Sequence, residues 1–213
     1  MAGYGTDAAG PRVAITRPSE GVDELNALLT AAGARPLSVP LIRIAAPVDT
    51  DPLQNALSRL ETYDWVVFTS ANAVRAVASR TGAWKGPKIA AVGPATAAAV
   101  HDALRCSADV VPEEFSGAGL AAALGARGDL KNKRVLWPRA EHAREETADA
   151  LRAAGTLLDD PVAYRTVPEP EAARRLSALA EGAGPVAAKI SFEKAGAAGG
   201  NAGSPTPVGA TTL

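Results

Sequence analysis

Cysteine is almost absent from this chain: one residue in 213, Cys106, so no internal disulfide can form. Histidine is nearly as scarce, with two copies, and no Cys/His spacing matches a zinc site. These absences exclude a disulfide scaffold and a zinc module, and lead us to expect a cytoplasmic protein without a metal. Charge of either sign is not in excess: 22 basic against 23 acidic side chains leave a net charge of −1. Without a basic field, neither nucleic acid nor an anionic membrane is an expected partner. No apolar run approaches the ~18 residues of a membrane span, and the opening MAGYGTDAAGPR lacks the charged-then-apolar order of a signal peptide. What is present is a globular composition, 47% hydrophobic and 21% charged, in a length that suits one or two α/β units.

Composition is even from about residue 12 to 181 and then changes. Residues 182–213 are rich in glycine and proline and can bury little apolar surface against their ordering entropy, so a low-complexity, mobile tail is expected there. Before it, short apolar runs alternate with helical patterns. Arg12 to Thr16 reads as a buried strand. A helix follows in which Val22, Leu25, Leu28, Leu29 and Ala32 share a face, closed by Gly33 as a C′ glycine. Pro36, Pro40 and Pro47 bracket an extended connector from Leu37 to Ala45. Next come a helix Pro52–Leu60, strand Trp65–Phe68, helix Ala71–Arg80, strand Lys88–Val92 and helix Pro94–Leu104. Strand Asp109–Val111, helix Gly117–Leu124, strand Arg134–Trp137 and helix Glu141–Ala154 complete the series. Such alternation predicts a parallel sheet covered by helices on both faces. A second connector, Leu157–Thr166, returns the chain to the first strand, and a last helix runs from Pro170 at N1 to Ala180, with Gly182 beyond.

Chemistry is expected at the strand-to-helix junctions. Val66-Val67-Phe68 ends in Thr69-Ser70 and turns at once into a helix carrying Asn72. There Ser70 reads either as an N-cap alone or as part of an anion site made with free amides. In Gly93-Pro94-Ala95-Thr96, Gly93 allows close backbone approach and Thr96 offers a hydroxyl in the first turn. Ser116-Gly117-Ala118-Gly119 is a third junction. Trp137-Pro138-Arg139, leading to His142 and Arg144, is the fourth. All four fall on the carboxyl edge of an open α/β sheet, where ligands bind, and together they suit a polycarboxylate or polyphosphate. There is no phosphate loop. Gly117 to Ala122 fits GxGxxA with Glu141 beyond, but Pro112 to Phe115 separates the glycines from their strand, whereas a dinucleotide fingerprint needs the turn immediately. His142 reads as part of an exposed helix face with i, i+3 pairs Glu141–Arg144 and Asp149–Arg152.

Taken in order, RVAITRP (12–18), VVFTSANAV (66–74), AAVGPATAAAV (90–100), SGAGL (116–120), RVLWPRAEHAREE (134–146) and AYRTVP (163–168) resemble the uroporphyrinogen-III synthase family over about residues 12–181. The resemblance implies two parallel-sheet, flavodoxin-like α/β domains joined by a two-stranded connector. Residues 12–37 with 164–192 would form the first domain, 38–163 the second, and 193–213 a tail. It also implies a monomer and a cofactor-free reaction on hydroxymethylbilane, a linear tetrapyrrole with eight carboxylates, received from the deaminase that makes it. Tyr164 matches the tyrosine on the returning connector and is the candidate catalytic group, set to hydrogen-bond the departing hydroxyl or to position ring A. Thr69, Ser70, Asn72, Gly93, Thr96 and Ser116 match the groups that would hold carboxylates. Arg17 would face the cleft from the first domain and Arg144 from the fourth junction. The family continues with a further strand, a second pair of strand-end turns and a last helix. Here only Val186 to Phe192 imitates that strand, so the first domain is expected to be incomplete. The alternative to an enzyme is a non-catalytic α/β module that binds an anion or a partner.

Overall fold

The computed structural model describes residues 10–18, 22–128 and 130–181. Strand β1 (Arg12–Ile15), helix α1 (Asp23–Ala31) and strand β2 (Arg35–Ser38) come first. β1 and β2 pair in parallel, Val13 opposite Pro36; a proline has no N–H for a further ladder, so β2 stands at an edge. Gly33 (φ 79°) ends α1. Its N–H donates to the Thr30 carbonyl and that of Ala34 to the Leu29 carbonyl, the paired bonds of a Schellman motif that only a left-handed residue allows. The core of this unit is small: Ile15, Val22 and Leu29 with Val13, Leu25 and Ala34 against them. Leu28, expected on the buried face, is exposed.

The extended stretch read as one connector is two strands. β2 belongs with β1, and after Pro40 the strand β3 (Ile42–Ala45) pairs antiparallel with β9 (Val162–Pro168). Helix α2 (Asp51–Leu57) is shorter than expected, because a separate 3-10 turn covers Leu60–Thr62. The sequence then lays down β4 (Trp65–Phe68), α3 (Ala71–Thr81), β5 (Lys88–Ala91), α4 (Pro94–Leu104), α5 (Gly117–Gly125), β6 (Arg134–Leu136), β7 (Arg139–Ala140), α6 (Glu146–Ala153) and β8 (Leu157–Asp159). β5, β4, β6 and β8 form a wholly parallel sheet in that order. The expected strand at Asp109–Val111 is only a bridge from Val110 to Ala90. The Asp109 carboxylate itself accepts the Ile89 N–H at 2.8 Å, and Pro112 prevents the ladder from continuing. Leu157–Asp159, expected in the second connector, is the sheet's outer strand, so that connector is β9 alone.

Counting Val110, the order in chain sequence is 3-2-1-4-5, with its reversal between β4 and β6, the doubly wound arrangement whose ligands sit at that crevice. β4 is Trp-Val-Val-Phe with every residue buried, as a central parallel strand covered on both faces requires. On one face Val66, Phe68 and Leu136 pack with Val74, Val77, Val100 and Leu104 of α3 and α4. On the other, Trp65, Val67, Val135 and Trp137 pack with Leu120, Leu124, Ala148 and Leu151 of α5 and α6. The helix expected from Glu141 starts at Glu146, because Arg139–Ala140 is drawn into a short strand beside β9 and a turn bonding Ala143 N–H to the Ala140 carbonyl follows. Helix α7 (Ala172–Glu181) begins two residues after Pro170. Gly182, the strand read at Val186–Phe192 and the tail lie outside the described residues.

Candidate functional site

The carboxyl edge of the parallel sheet gathers the junction residues. Thr69 and Ser70 follow β4. Ser70 is the N-cap of α3, its Oγ accepting the Ala73 N–H at 3.1 Å, so the capping reading holds. Capping uses one orphan donor, and the amides of Ala71 and Asn72 have no acceptor among the described residues; they face outward from a helix end that favours negative charge. The Asn72 side-chain oxygen accepts from Arg75 at 3.0 Å, which leaves its amide donors for a ligand. Thr69 is half-buried, and its Oγ1 accepts a 3.0 Å hydrogen bond from Nε1 of Trp137, the first residue beyond β6. This bond spans the point at which the strand order reverses.

The next junctions differ from expectation. Gly93 N-caps α4 with extended backbone (φ −174°), but the space above its α-carbon is taken by Phe115, whose ring carbon would lie 3.3 Å from an added Cβ. A ligand therefore meets the Phe115 ring, 54% exposed, before the Gly93 backbone. Thr96 is buried but keeps a hydroxyl without a partner among the described residues. Its oxygen is not sealed off, since no buried side-chain polar atom there is left unpaired. At the third junction the Ser116 hydroxyl is already committed, accepting from the Gly119 N–H at 2.9 Å and donating to Glu114 at 2.8 Å. The two glycines behind it serve packing. A Cβ on Gly117 would meet Thr147 of α6, and one on Gly119 the Glu114 carbonyl. That accounts for the GxGxxA pattern without a dinucleotide.

At the fourth junction Arg139 is bound into its own turn, with Nε donating to the Asp160 carbonyl at 3.1 Å and carboxylate at 3.2 Å. Arg144 is exposed and lies in the turn before α6, not on a helix, and Arg17 is exposed after β1; the structure brings neither of them together with the rim residues. The expected i, i+3 pairs give way to others: Glu141 lies 3.6 Å from His142, and Arg152 pairs with Glu145 and Asp160. Tyr164 of β9 pairs in register with Ala140, only a few residues past the end of β6, and so stands beside this rim. Its ring packs against the core of α3, α4 and Phe68. Its hydroxyl makes no hydrogen bond among the described residues and reaches solvent.

The shifted titratable groups lie elsewhere. Asp64, accepting the Arg134 backbone N–H and the Lys133 ammonium, is held below the usual carboxylate range. Tyr63, buried and bonded to Asp159, is pushed up, chiefly by burial. A cavity of about 270 Å³ at the start of β5 is lined by Trp84, Lys88, Cys106 and Asp109, at the amino edge and so opposite the junctions. Burial raises the Cys106 thiol there. Among the described residues no group of His, Cys, Asp and Glu is placed to hold a metal, and no helix is long and apolar enough to cross a membrane. The rim's own chemistry is donor-rich: free amides, a threonine hydroxyl and a tyrosine hydroxyl, suited to an anion with many arms. The sequence places Trp137 only as the opening residue of the fourth junction and Phe115 only as a spacer before a helix; nothing local signals that either side chain meets the rim.

A sequence profile of the family described as uroporphyrinogen-III synthase HemD matches residues 23–189. The chain is 32% identical over 164 residues to a uroporphyrinogen-III synthase of Synechococcus elongatus, covering 74% of this chain and 61% of that protein. It is 30% identical over 158 residues to the synthase of Proteus mirabilis, covering 72% of this chain and 79% of that one. A crystal structure of a mutant uroporphyrinogen III synthase from the extreme thermophile Thermus thermophilus superposes with a TM-score of 0.53 at 20% identity, covering 78% of this chain and 67% of that one, and so shares the fold. The chain spans 61% of the Synechococcus protein and 62% of a putative synthase of Methanothermobacter thermautotrophicus.

Proposed function

Because this chain belongs to the uroporphyrinogen-III synthase family, we propose that it cyclises hydroxymethylbilane to uroporphyrinogen III, inverting the last pyrrole ring, ring D, and releasing water. The observation that supports this most is the donor-lined carboxyl edge. It sets the unused amides of Ala71 and Asn72 and the hydroxyls of Thr69 and Thr96 on the same rim as a tyrosine hydroxyl with no partner among the described residues. A helix N-terminus favours an anion by ~0.3–1 kcal/mol and a charge-assisted hydrogen bond contributes ~1.5–3 kcal/mol, so several together hold a polycarboxylate without a basic patch.

In this reading the side-chain carboxylates seat along the rim, at Thr69, the α3 amides that Ser70 and Asn72 frame, Thr96 and the Ser116 junction. Gly93 contributes through the shape of its turn, with Phe115 above it. Tyr164 donates a hydrogen bond to the terminal hydroxyl of the bilane, easing its loss as water. The azafulvene so formed is attacked by the substituted carbon of ring D, and the spiro intermediate fragments and recloses to the inverted macrocycle. The protein's contribution is orientation of two ends of one molecule, which converts an encounter into a unimolecular step. In the division expected from the sequence, residues 12–37 with 164–192 are one lobe, of which 182–192 lie outside the described residues, and 38–163 are the other; Arg17 would meet the substrate from the first and Arg144 from the second. The protein works as a cytoplasmic monomer supplied by the deaminase that makes its substrate.

A coupled assay with freshly generated hydroxymethylbilane tests the reading. Product enriched in isomer III is the expected result. Only isomer I, which forms spontaneously, overturns it and leaves a binding module without turnover.

A further inference from the structure

Trp137 is 1% exposed, and no step above uses it. Its place follows from strand register. Trp65 lies opposite Val135 and Val66 opposite Leu136, so Trp137 falls level with Val67, one position beyond the paired residues. Alternation puts Trp65, Val67 and Thr69 on the same face as Val135 and Trp137. Trp137 is anchored at its backbone by donating to the Asp159 carbonyl at 2.8 Å, and its ring is packed with Val67, Leu120 and Ala148. From there the indole reaches diagonally to Thr69 Oγ1 at 3.0 Å.

An indole N–H is a donor only, whereas a hydroxyl has one hydrogen and two lone pairs. Thr69 must therefore accept from Trp137, and its own hydrogen has no acceptor among the described residues. We propose that Trp137 is a positioning residue, which fixes the Thr69 rotamer and commits its hydroxyl to donate outward to a ligand carboxylate. Without the indole the hydroxyl rotates freely and can present a lone pair to the anion instead. The commitment gives the reversal point of the sheet a row of donors, Thr69 Oγ1 beside the Ala71 and Asn72 amides, with no acceptor facing a carboxylate.

This inference rests on the rim being the tetrapyrrole's binding edge, and the experiment separates the two. Trp137→Phe keeps most of the apolar packing and removes the N–H; Thr69→Val removes the hydroxyl at similar volume and serves if the tryptophan variant fails to fold. A carboxylate held equally in ground and transition states affects KM rather than kcat. Each variant is expected to raise KM about tenfold with kcat little changed, and the double variant to add little more, since both remove one coupled interaction. Independently of turnover, the Trp137 indole N–H resonance is followed in a ¹H–¹⁵N spectrum during titration with uroporphyrin III. It should move in the wild type and stay still in Thr69→Val. An unmoved indole signal in the wild type, or unchanged KM in both variants, overturns the inference. Movement of the signal in a protein that forms only isomer I upholds the inference and rejects the enzymatic reading.

Discussion

Replacing Gly117 by alanine is a severe test of how α5 meets α6. The added methyl would lie 2.8 Å from the Thr147 Cα and 2.9 Å from its Cβ, with Oγ1 closer still. Oγ1 can rotate away, but Cα belongs to the backbone of a neighbouring helix and Cβ is fixed directly to it, so no rotamer change relieves these two contacts. Overpacking of this kind costs about 1–3 kcal/mol, which in a chain of this size lowers Tm by roughly 2–12 °C. Gly125, at the other end of the same helix, is the internal control. An added Cβ there meets nothing within 4 Å among the described residues, and Gly125→Ala should gain at most about 0.5–1 kcal/mol from reduced backbone entropy. The same chemical change in one helix thus has opposite signs at its two ends. Urea unfolding of both variants measures the difference. Combining Gly117→Ala with Thr147→Ala removes Oγ1 but leaves Cα and Cβ, so it should not restore stability. If Gly117→Ala unfolds at the wild-type midpoint, the close approach of the helices is wrong, and the glycines need another explanation.

Three further outcomes are expected. Ser70→Ala removes the cap from Ala73 and should cost about 1 kcal/mol, read as a Tm fall of about 2–4 °C, while circular dichroism shows α3 otherwise intact. Asp64 has its folded pKa depressed, so the stability it confers is present above the unfolded value of about 4 and is lost as pH falls through the lower folded value. In urea midpoints, wild type should exceed Asp64→Asn at neutral pH and converge with it in acid; because the pair with Lys133 is well exposed, the gap is modest, and a gap that widens in acid contradicts the assignment. Tyr164→Phe removes a hydroxyl with no partner among the described residues, so Tm should hold while kcat for the bilane falls roughly a hundredfold; an unchanged kcat removes Tyr164 from the chemistry.

The rim was legible in the sequence wherever local chemistry dictates local structure. Pro94 after Gly93 fixed the start of α4, Ser70 the start of α3, and Gly33 the end of α1, because each acts on amides within a few residues. What was hidden depends on distant partners. Nothing near Thr69 announces that its hydroxyl is held by Trp137, 68 residues later, and the reason for Gly117 is Thr147 on another helix. The helix expected from Glu141 failed for a related cause. Arg139 and Ala140, just before it, pair with β9, and the turn from Ala140 to Ala143 delays the helix to Glu146, so tertiary pairing overrode propensity. Arg17 and Arg144 remain exposed cations that neither periodicity nor geometry ties to the rim.

The single-residue bridge at Val110 has a consequence for self-association. Both of its backbone groups turn inward, donating to Ile89 and accepting from Ala91, and Pro112 follows with no N–H to offer. A strand from another molecule approaching that flank finds no continuous row of amides and carbonyls to template on. On this flank the parallel sheet thus ends in a blunted margin that resists edge-to-edge growth.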